Sequence, residues 1–210
     1  MARKRADSFK TAIDTLRGEL RAGRHVPGAR LTSNDIAERL SLSATPVREA
    51  LYRLAGEGLL QERHGQGFFV PKLQEHDLIA LLQLQLQLLL IACEGGRSGA
   101  EAAPAAQPGL ILPGADATAS EERLLRTLAA RASPALAQHL IRIQDQLAPY
   151  RIAESAVLGE PPSDFASLAE AVAQREPERL RQALRTVFAR RIEAAPQQAR
   201  LQEARSIESI

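Results

Sequence analysis

Two short helical stretches with a two-residue joint between them constrain this chain more than any other feature. Asp35-Ile36-Ala37-Glu38-Arg39-Leu40 reads as a short helix capped by Thr32 or Ser33, and Ser43 reads as the N-cap of a second helix, with only Ser41-Leu42 between. A serine suits that place because its hydroxyl can accept from an orphan N–H of the first turn. Pro46 falls in that first turn, where its missing N–H costs little. Val47, Ala50, Leu51, Leu54 and Ala55 then recur at helical spacing as one buried stripe, and Gly58 ends the helix as its C′ residue. So tight a helix pair is the helix-turn-helix pattern, and it leaves Thr45 and Arg48 off the buried stripe, at the exposed N-terminal end of the second helix. Leu59 to Arg63 and Phe68-Phe69-Val70 are strand-like, and His64-Gly65-Gln66-Gly67 turns the chain between them as a hairpin wing. Upstream, Phe9, Ala12, Ile13, Leu16 and Leu20 share one face of a helix from Ser8 to Ala22, and a turn-rich connection follows from Gly23 to Gly28. Residues 1–72 are therefore predicted to be a winged helix-turn-helix of three helices plus a β-hairpin wing, a unit whose second helix of the pair docks in the DNA major groove.

Six kinds of side chain carry the expected DNA contacts. Arg48 is the foremost, since a guanidinium there can bind guanine O6 and N7 bidentately or clamp a phosphate. Thr45 reaches a phosphate or a base edge, Ser43 caps or donates to phosphate, and Asn34 at the start of the preceding helix meets the backbone. On the wing, Arg63, His64 and Gln66 enter the minor groove or bind phosphate, and Gly65 permits close approach. The plainer alternatives are a surface ion pair for Arg48 and simple solvation for His64. Arg3, Lys4 and Arg5 are either a flexible basic arm or a solvated terminus.

Pro27-Gly28-Ala29-Arg30-Leu31, Ile36 to Leu40, Ser43-Ala44-Thr45-Pro46-Val47-Arg48-Glu49-Ala50-Leu51, Glu57-Gly58-Leu59-Leu60 and Gly67-Phe68-Phe69-Val70 together resemble the GntR family of bacterial transcriptional regulators. The likeness is nearest to the branch with an all-helical FCD effector domain. It implies a dimeric regulator, most often a repressor, that reads a palindromic double-stranded operator and whose helical half senses a small-molecule effector. Three positions depart from the family pattern. Ala44 stands where an arginine is usual between the serine and threonine, Ser41 where a glycine is usual in the turn, and Ser33 where an acid is usual near the start of the second helix. The operator sequence is therefore not carried over.

Charge and composition agree with a split chain. Residues 1–72 carry 13 Lys and Arg against 8 Asp and Glu, and residues 73–210 carry 14 against 17. A basic front and an acidic back suit a DNA-binding domain joined to a sensing or dimerising one, although so modest a surplus also arises by scatter. Aromatics are 3% and tryptophan is absent, so the core must be built from Leu, Ala, Ile and Val, which favours helices. The single cysteine, Cys93, excludes an intrachain disulfide and a cysteine zinc site. No signal peptide is visible, and the most apolar run, Leu78 to Cys93, is short and interrupted by Gln83, Gln85 and Gln87. The expectation is a cytoplasmic protein that does not span a membrane.

The second half is predicted to be an all-helical bundle over residues 73–196, with a polar tail at 197–210, helical or frayed. Glu75 or Asp77 begins a long helix. Leu81 to Leu88 also alternates strictly with glutamine as a strand would, but the run exceeds strand length and holds no Gly or Pro. Residues 94–120 are rich in Gly, Ala and Pro and predict a long loop. Helices follow over Glu121–Ala132, from Pro134 with Ser133 as its cap, over Ser163–Arg175, and from Pro177 onward. By the FCD resemblance, the Asp and three His that usually hold a divalent metal fall on Glu122, Arg126, Phe165 and Val187, and the usual pocket Arg and Glu fall on Leu82 and Leu86. Such a set cannot hold a metal. No metal or other cofactor is expected, and any effector should be neutral or apolar. Arg126, Tyr150 and Arg151 are its polar contact candidates, beside Leu82, Leu86, Phe165 and Val187. No nucleophile elbow, His/Cys/Asp constellation or phosphate-cradling loop points to an enzyme. The alternative is a dimeric DNA-binding protein whose helical domain serves only dimerisation.

Overall fold

A computed structural model describes the backbone of residues 2–94, 117–158 and 163–208, and their side chains apart from those of 2–5, 117–121, 152, 153, 155, 163–165 and 206–208. The order is α1 (Ala2–Arg21), β1 (Arg30–Leu31), α2 (Ser33–Leu40), α3 (Ala44–Gly56), β2 (Gln61–Arg63), β3 (Gly67–Phe69), α4 (Glu75–Glu94), α5 (Ala117–Ala130), α6 (Pro134–Leu158), α7 (Ser163–Gln174) and α8 (Pro177–Glu208).

The first three helices close around one core. Ala12, Leu16 and Leu20, one helical turn apart, are buried against Val47, Ala50, Leu51 and Leu54 of α3 and Ile36 of α2. Thr32 caps α2, its Oγ1 accepting from Asp35 N at 3.3 Å. Ser41 ends α2 in the left-handed region, φ 54°, which lets Leu42 N donate to Ala37 O at 2.9 Å and turns the chain within two residues. Ser43 holds the N-cap position of α3, but its side chain makes no capping hydrogen bond. At the other end Gly58, φ +76°, closes a Schellman motif: Leu59 N donates to Leu54 O at 3.0 Å and Gly58 N to Ala55 O at 2.9 Å. The wing is a sheet of order β1-β3-β2, antiparallel throughout, with Leu31 and Glu62 flanking Phe68. Phe68 and Val70 face the core.

The second half is a bundle in which α8 lies along α4, α6 and α7, and α5 lies on α6. Leu78, Leu82 and Leu89 of α4 meet Leu124, Leu125, Leu140, Leu147, Leu168, Leu184 and Phe188 in its core. The alternating Leu/Gln stretch is helix, as length and the absence of breakers predict. Helical winding splits its glutamines: Gln83 and Gln87 are exposed, whereas Gln85 is fully buried.

Several boundaries differ from the sequence reading. α1 begins at Ala2, so the basic N-terminal residues extend a helix instead of forming a free arm. β1 is an additional strand; two residues are too few to show a period. Ala117 to Ser120 is helix and not loop, and residues 95–116 lie outside the described ones. α6 runs through Pro149, and α8 runs through Pro196, so of the two states expected for the tail, helical or frayed, it is helical to Glu208. A proline inside a helix forfeits one backbone bond. At Pro149 the two helices are tied together, since Gln202 of α8 is buried and its Nε2 donates to Pro149 O at 2.7 Å.

The two halves meet through α6. Asp145, 1% exposed, receives Arg126 at 2.7 Å and, from α1, Arg17 at 3.1 Å, with Arg21 at 3.5 Å. Arg17 also pairs with Glu57 at 2.7 Å, and Glu122 pairs with both Arg21 and Arg126. Next to this cluster Gln146 Nε2 donates to Glu57 O at 3.1 Å, and Tyr150 accepts from Leu73 N at 2.8 Å.

Candidate nucleic-acid interface

The candidate reading surface is the outer face of α3. Its inner face is fixed by Val47, Ala50, Leu51 and Leu54, all fully buried. Helical geometry therefore sets Thr45, Arg48, Glu49 and Tyr52, at i, i+3, i+4 and i+7, on one exposed face. Arg48 has no ion-pair partner among the described residues, so its guanidinium is free for a base or phosphate, whereas Arg53 on the same helix is held by Glu57 at 2.8 Å. Ser43 is exposed just ahead of this face, and its hydroxyl is not spent on capping, so it can donate to phosphate. Asn34 is exposed in the first turn of α2. Ala44, at the usual arginine position, is half-buried and packs against the domain core.

On the wing, Arg63, His64, Gly65 and Gln66 are all exposed at the hairpin tip. Gly65 at φ +69° and Gly67 at φ +104° make the turn, and Gln66 N donates to Arg63 O at 2.9 Å. Arg63 stacks over the Phe69 ring at 4.3 Å, which holds the guanidinium plane while leaving its N–H groups outward. The sequence reading missed three residues here. Arg30 of β1 is exposed and lies beside Gly67. Tyr52 is 50% exposed, with its ring edge-on to Phe68 at 5.0 Å, and its i+7 spacing from Thr45 was the available signal. Glu49, on the same face, suits a cytosine amino group and repels phosphate.

The scaffold under this face is pinned by a buried acid. Glu19 of α1 takes a bidentate pair from Arg39 of α2, one arm at 2.9 Å, and meets His25 at 3.0 Å. Burial works to raise the Glu19 carboxyl, but Arg39 and then His25 outweigh it and hold it below its ordinary value.

This arrangement matches a known family model. The model described as bacterial regulatory proteins, gntR family, covers residues 9–70. Residues 9–70 form a GntR-family winged helix-turn-helix domain. The chain is 39% identical over 77 residues to the HTH-type transcriptional regulator McbR of Escherichia coli K12, covering 37% of this chain and 35% of McbR. It is 38% identical over 72 residues to the Nta operon transcriptional regulator of Aminobacter aminovorans, covering 32% and 34%. The chain thus matches about a third of the length of these relatives. As a fold the likeness is longer. McbR from E. coli superposes with a TM-score of 0.65 at 22% identity over 91% of this chain and 98% of its own. A GntR regulator from Rhodococcus sp. RHA1 superposes with 0.72 at 19% identity over 90% and 97%. The helical half that follows the GntR domain therefore has the fold found in those structures.

The effector candidates are scattered. Leu82 and Val187 are buried in the bundle core and Leu86 packs against it. Phe165 lies in α7, and its side chain is outside the described ones. Arg126 is held by Glu122 and Asp145, and Arg151 is buried. Of the seven, only Tyr150 lines a described cavity. The metal positions do not fit a metal, because Arg126 puts a cation where an imidazole would have to be. Among the described residues no group of three or more His, Cys, Asp and Glu is placed to hold an ion.

Proposed function

We propose that the chain is a sequence-specific DNA-binding transcriptional regulator, a dimeric repressor of the bacterial cytoplasm whose helical domain responds to a small neutral or apolar ligand. The observation that carries this is the free Arg48 guanidinium on the exposed Thr45–Arg48–Tyr52 face of a GntR domain. Arg48 and Glu49 read base edges, Thr45 and Ser43 hold phosphates, and Arg30 and Arg63 bring the wing onto the adjacent backbone. A single short helix reads too few bases for a discrete site, so two copies are needed. The outer stripe of α4 supports pairing: Leu84 is 48% and Ile91 51% exposed, with half-buried Leu88 between them, and a second copy would cover this stripe. The reading in which the helical domain only dimerises draws on the tight packing of Leu82 and Val187.

The test is binding to a labelled duplex from the gene's own upstream region, in a salt series, with wild type, Arg48→Ala and Ile91→Asp. Wild type should bind a discrete site as a dimer. Arg48→Ala should lose about 5–150-fold in site affinity, the value of one bidentate base contact. Ile91→Asp should sediment as a monomer and lose the discrete site. Equal, weak binding by wild type and Arg48→Ala that vanishes with moderate salt would sink the reading, because that is sequence-independent phosphate contact.

A further inference from the structure

We propose that the cleft between the winged domain and the bundle is the effector site of this chain, and that it takes a small amphiphile with an apolar body and a neutral or cationic, hydrogen-bond-donating head. The proposal rests on the regulatory reading above, gives its ligand a place, and widens its class to admit a cationic head. The cleft has a volume of about 340 Å³, within the usual range for small-molecule sites. Leu20, Leu59 and Val70 line it from the winged domain, and Leu73, Leu81 and Pro149 from the helical one.

The polar groups select the head. Asp77 and Asp145 bring two carboxylates to the lining, and none of the described lining residues is lysine or arginine. Of these, Asp77 disfavours an anionic head. Asp145 is taken up by its arginines. Asp77 is half-exposed and bonded only at the first turn of α4, by Gln74 N at 3.1 Å and beside His76 at 3.3 Å, so it can accept from an ammonium or hydroxyl. Tyr150 accepts from Leu73 N, which leaves its own proton for a ligand acceptor.

The walls explain how occupancy would reach DNA. Gly58, the residue that ends the recognition helix, also lines the cleft, and a Cβ there would lie 2.3 Å from Gln146 Nε2. The end of α3 and the middle of α6 are thus in direct backbone-to-side-chain contact, with no slack. A ligand that spreads the cleft displaces Gln146 from Glu57 O and resets the angle of α3 to the bundle.

The test uses the full chain and the neutral dye Nile red, with octylamine, octanol and octanoate as competitors. Nile red should bind saturably, one per chain. Octylamine and octanol should displace it at about tenfold lower concentration than octanoate. Leu81→Trp and Ala80→Phe, which fill the cleft from α4, should abolish dye binding while keeping the wild-type melting temperature. Two filling positions guard against one failing to fold. Asp77→Asn should keep the dye and bring octanoate closer to octylamine and octanol as a competitor. Octylamine should shift wild-type affinity for the upstream duplex by about 5–150-fold, and leave that of Leu81→Trp unmoved. Dye binding undiminished in both filled variants, or octanoate competing as well as octylamine, overturns the site. Occupancy without any change in DNA affinity overturns its regulatory role. Dye binding in the expected pattern by a wild type that binds no duplex overturns the DNA-binding reading and leaves the cleft standing.

Discussion

Ser41 sits at φ 54° and ψ 41°, in a region where a Cβ crowds the following carbonyl. It is tolerated because the helix pair needs a left-handed residue there, and its own N–H donates to Glu38 O at 3.1 Å. Glycine adopts this conformation freely, so Ser41→Gly should stabilise the winged domain by about 0.5–1 kcal/mol, read as a rise in the urea midpoint at unchanged slope. A fall would mean that the serine hydroxyl contributes something the backbone account lacks. At this scale the sequence was informative wherever the signal was local. Thr32, Gly58 and Ser133 are recognisable caps because capping depends on residues within one turn of each other. Ser43 is the exception, correct in position but without the expected hydrogen bond. Arg30 and Tyr52 lie beyond the first turn of α3, Arg30 beside Gly67 on the folded wing and Tyr52 near the far end of the helix.

Among elements, the helix-turn-helix and the wing were legible, since their periods and turn residues repeat over enough positions to be seen. Two-residue β1 was not, nor was the passage of α6 through Pro149, and for the stretch after Pro196 helix was one of two open alternatives. Those helices persist through tertiary packing, for which no local pattern stands proxy. The α1–α2 joint makes a prediction about pH. Glu19 has its folded value depressed below an ordinary 4.5, chiefly because Arg39 and His25 outweigh the effect of burial. A depressed acid contributes stability that is fully present above its unfolded value and is lost as pH falls through its lower folded value. The melting temperature of the wild type should therefore drop between about pH 5 and 3. Glu19→Gln should be less stable at neutral pH by about 1–2 kcal/mol, with a flatter acid limb. Parallel acid limbs in the two proteins would assign the loss to other carboxylates.

For the molecule as a whole, the decisive contacts join residues that no sequence window spans: Arg17 and Asp145 are 128 positions apart. The expected division at residue 72 is read from the end of the wing and the shift in charge, but the manner in which the parts hold each other is not legible in the sequence. Burial works against the charge on Arg17, yet Glu57 and Asp145 raise its affinity for the proton, whereas burial and the nearby Arg126 lower that of Arg21. Three guanidiniums thus crowd one nearly inaccessible carboxylate. Asp145→Asn removes the charge that reconciles them and should cost about 3 kcal/mol. It should also split a single urea transition into two, as each domain unfolds by its own measure. One transition, merely shifted, would show that the apolar contacts of the cleft suffice to keep the domains unfolding together.

Gly58 has no side chain, and the amide of Gln146 occupies the space where one would begin. For anyone wishing to transplant this reading head onto another sensor, that detail sets the terms. A graft cut in the linker after Lys72 would carry the recognition helix but leave behind the α6 surface that seats its end. By the proposed coupling, the recipient must supply its own glutamine at that spot, or the borrowed head will read DNA without listening to its new host.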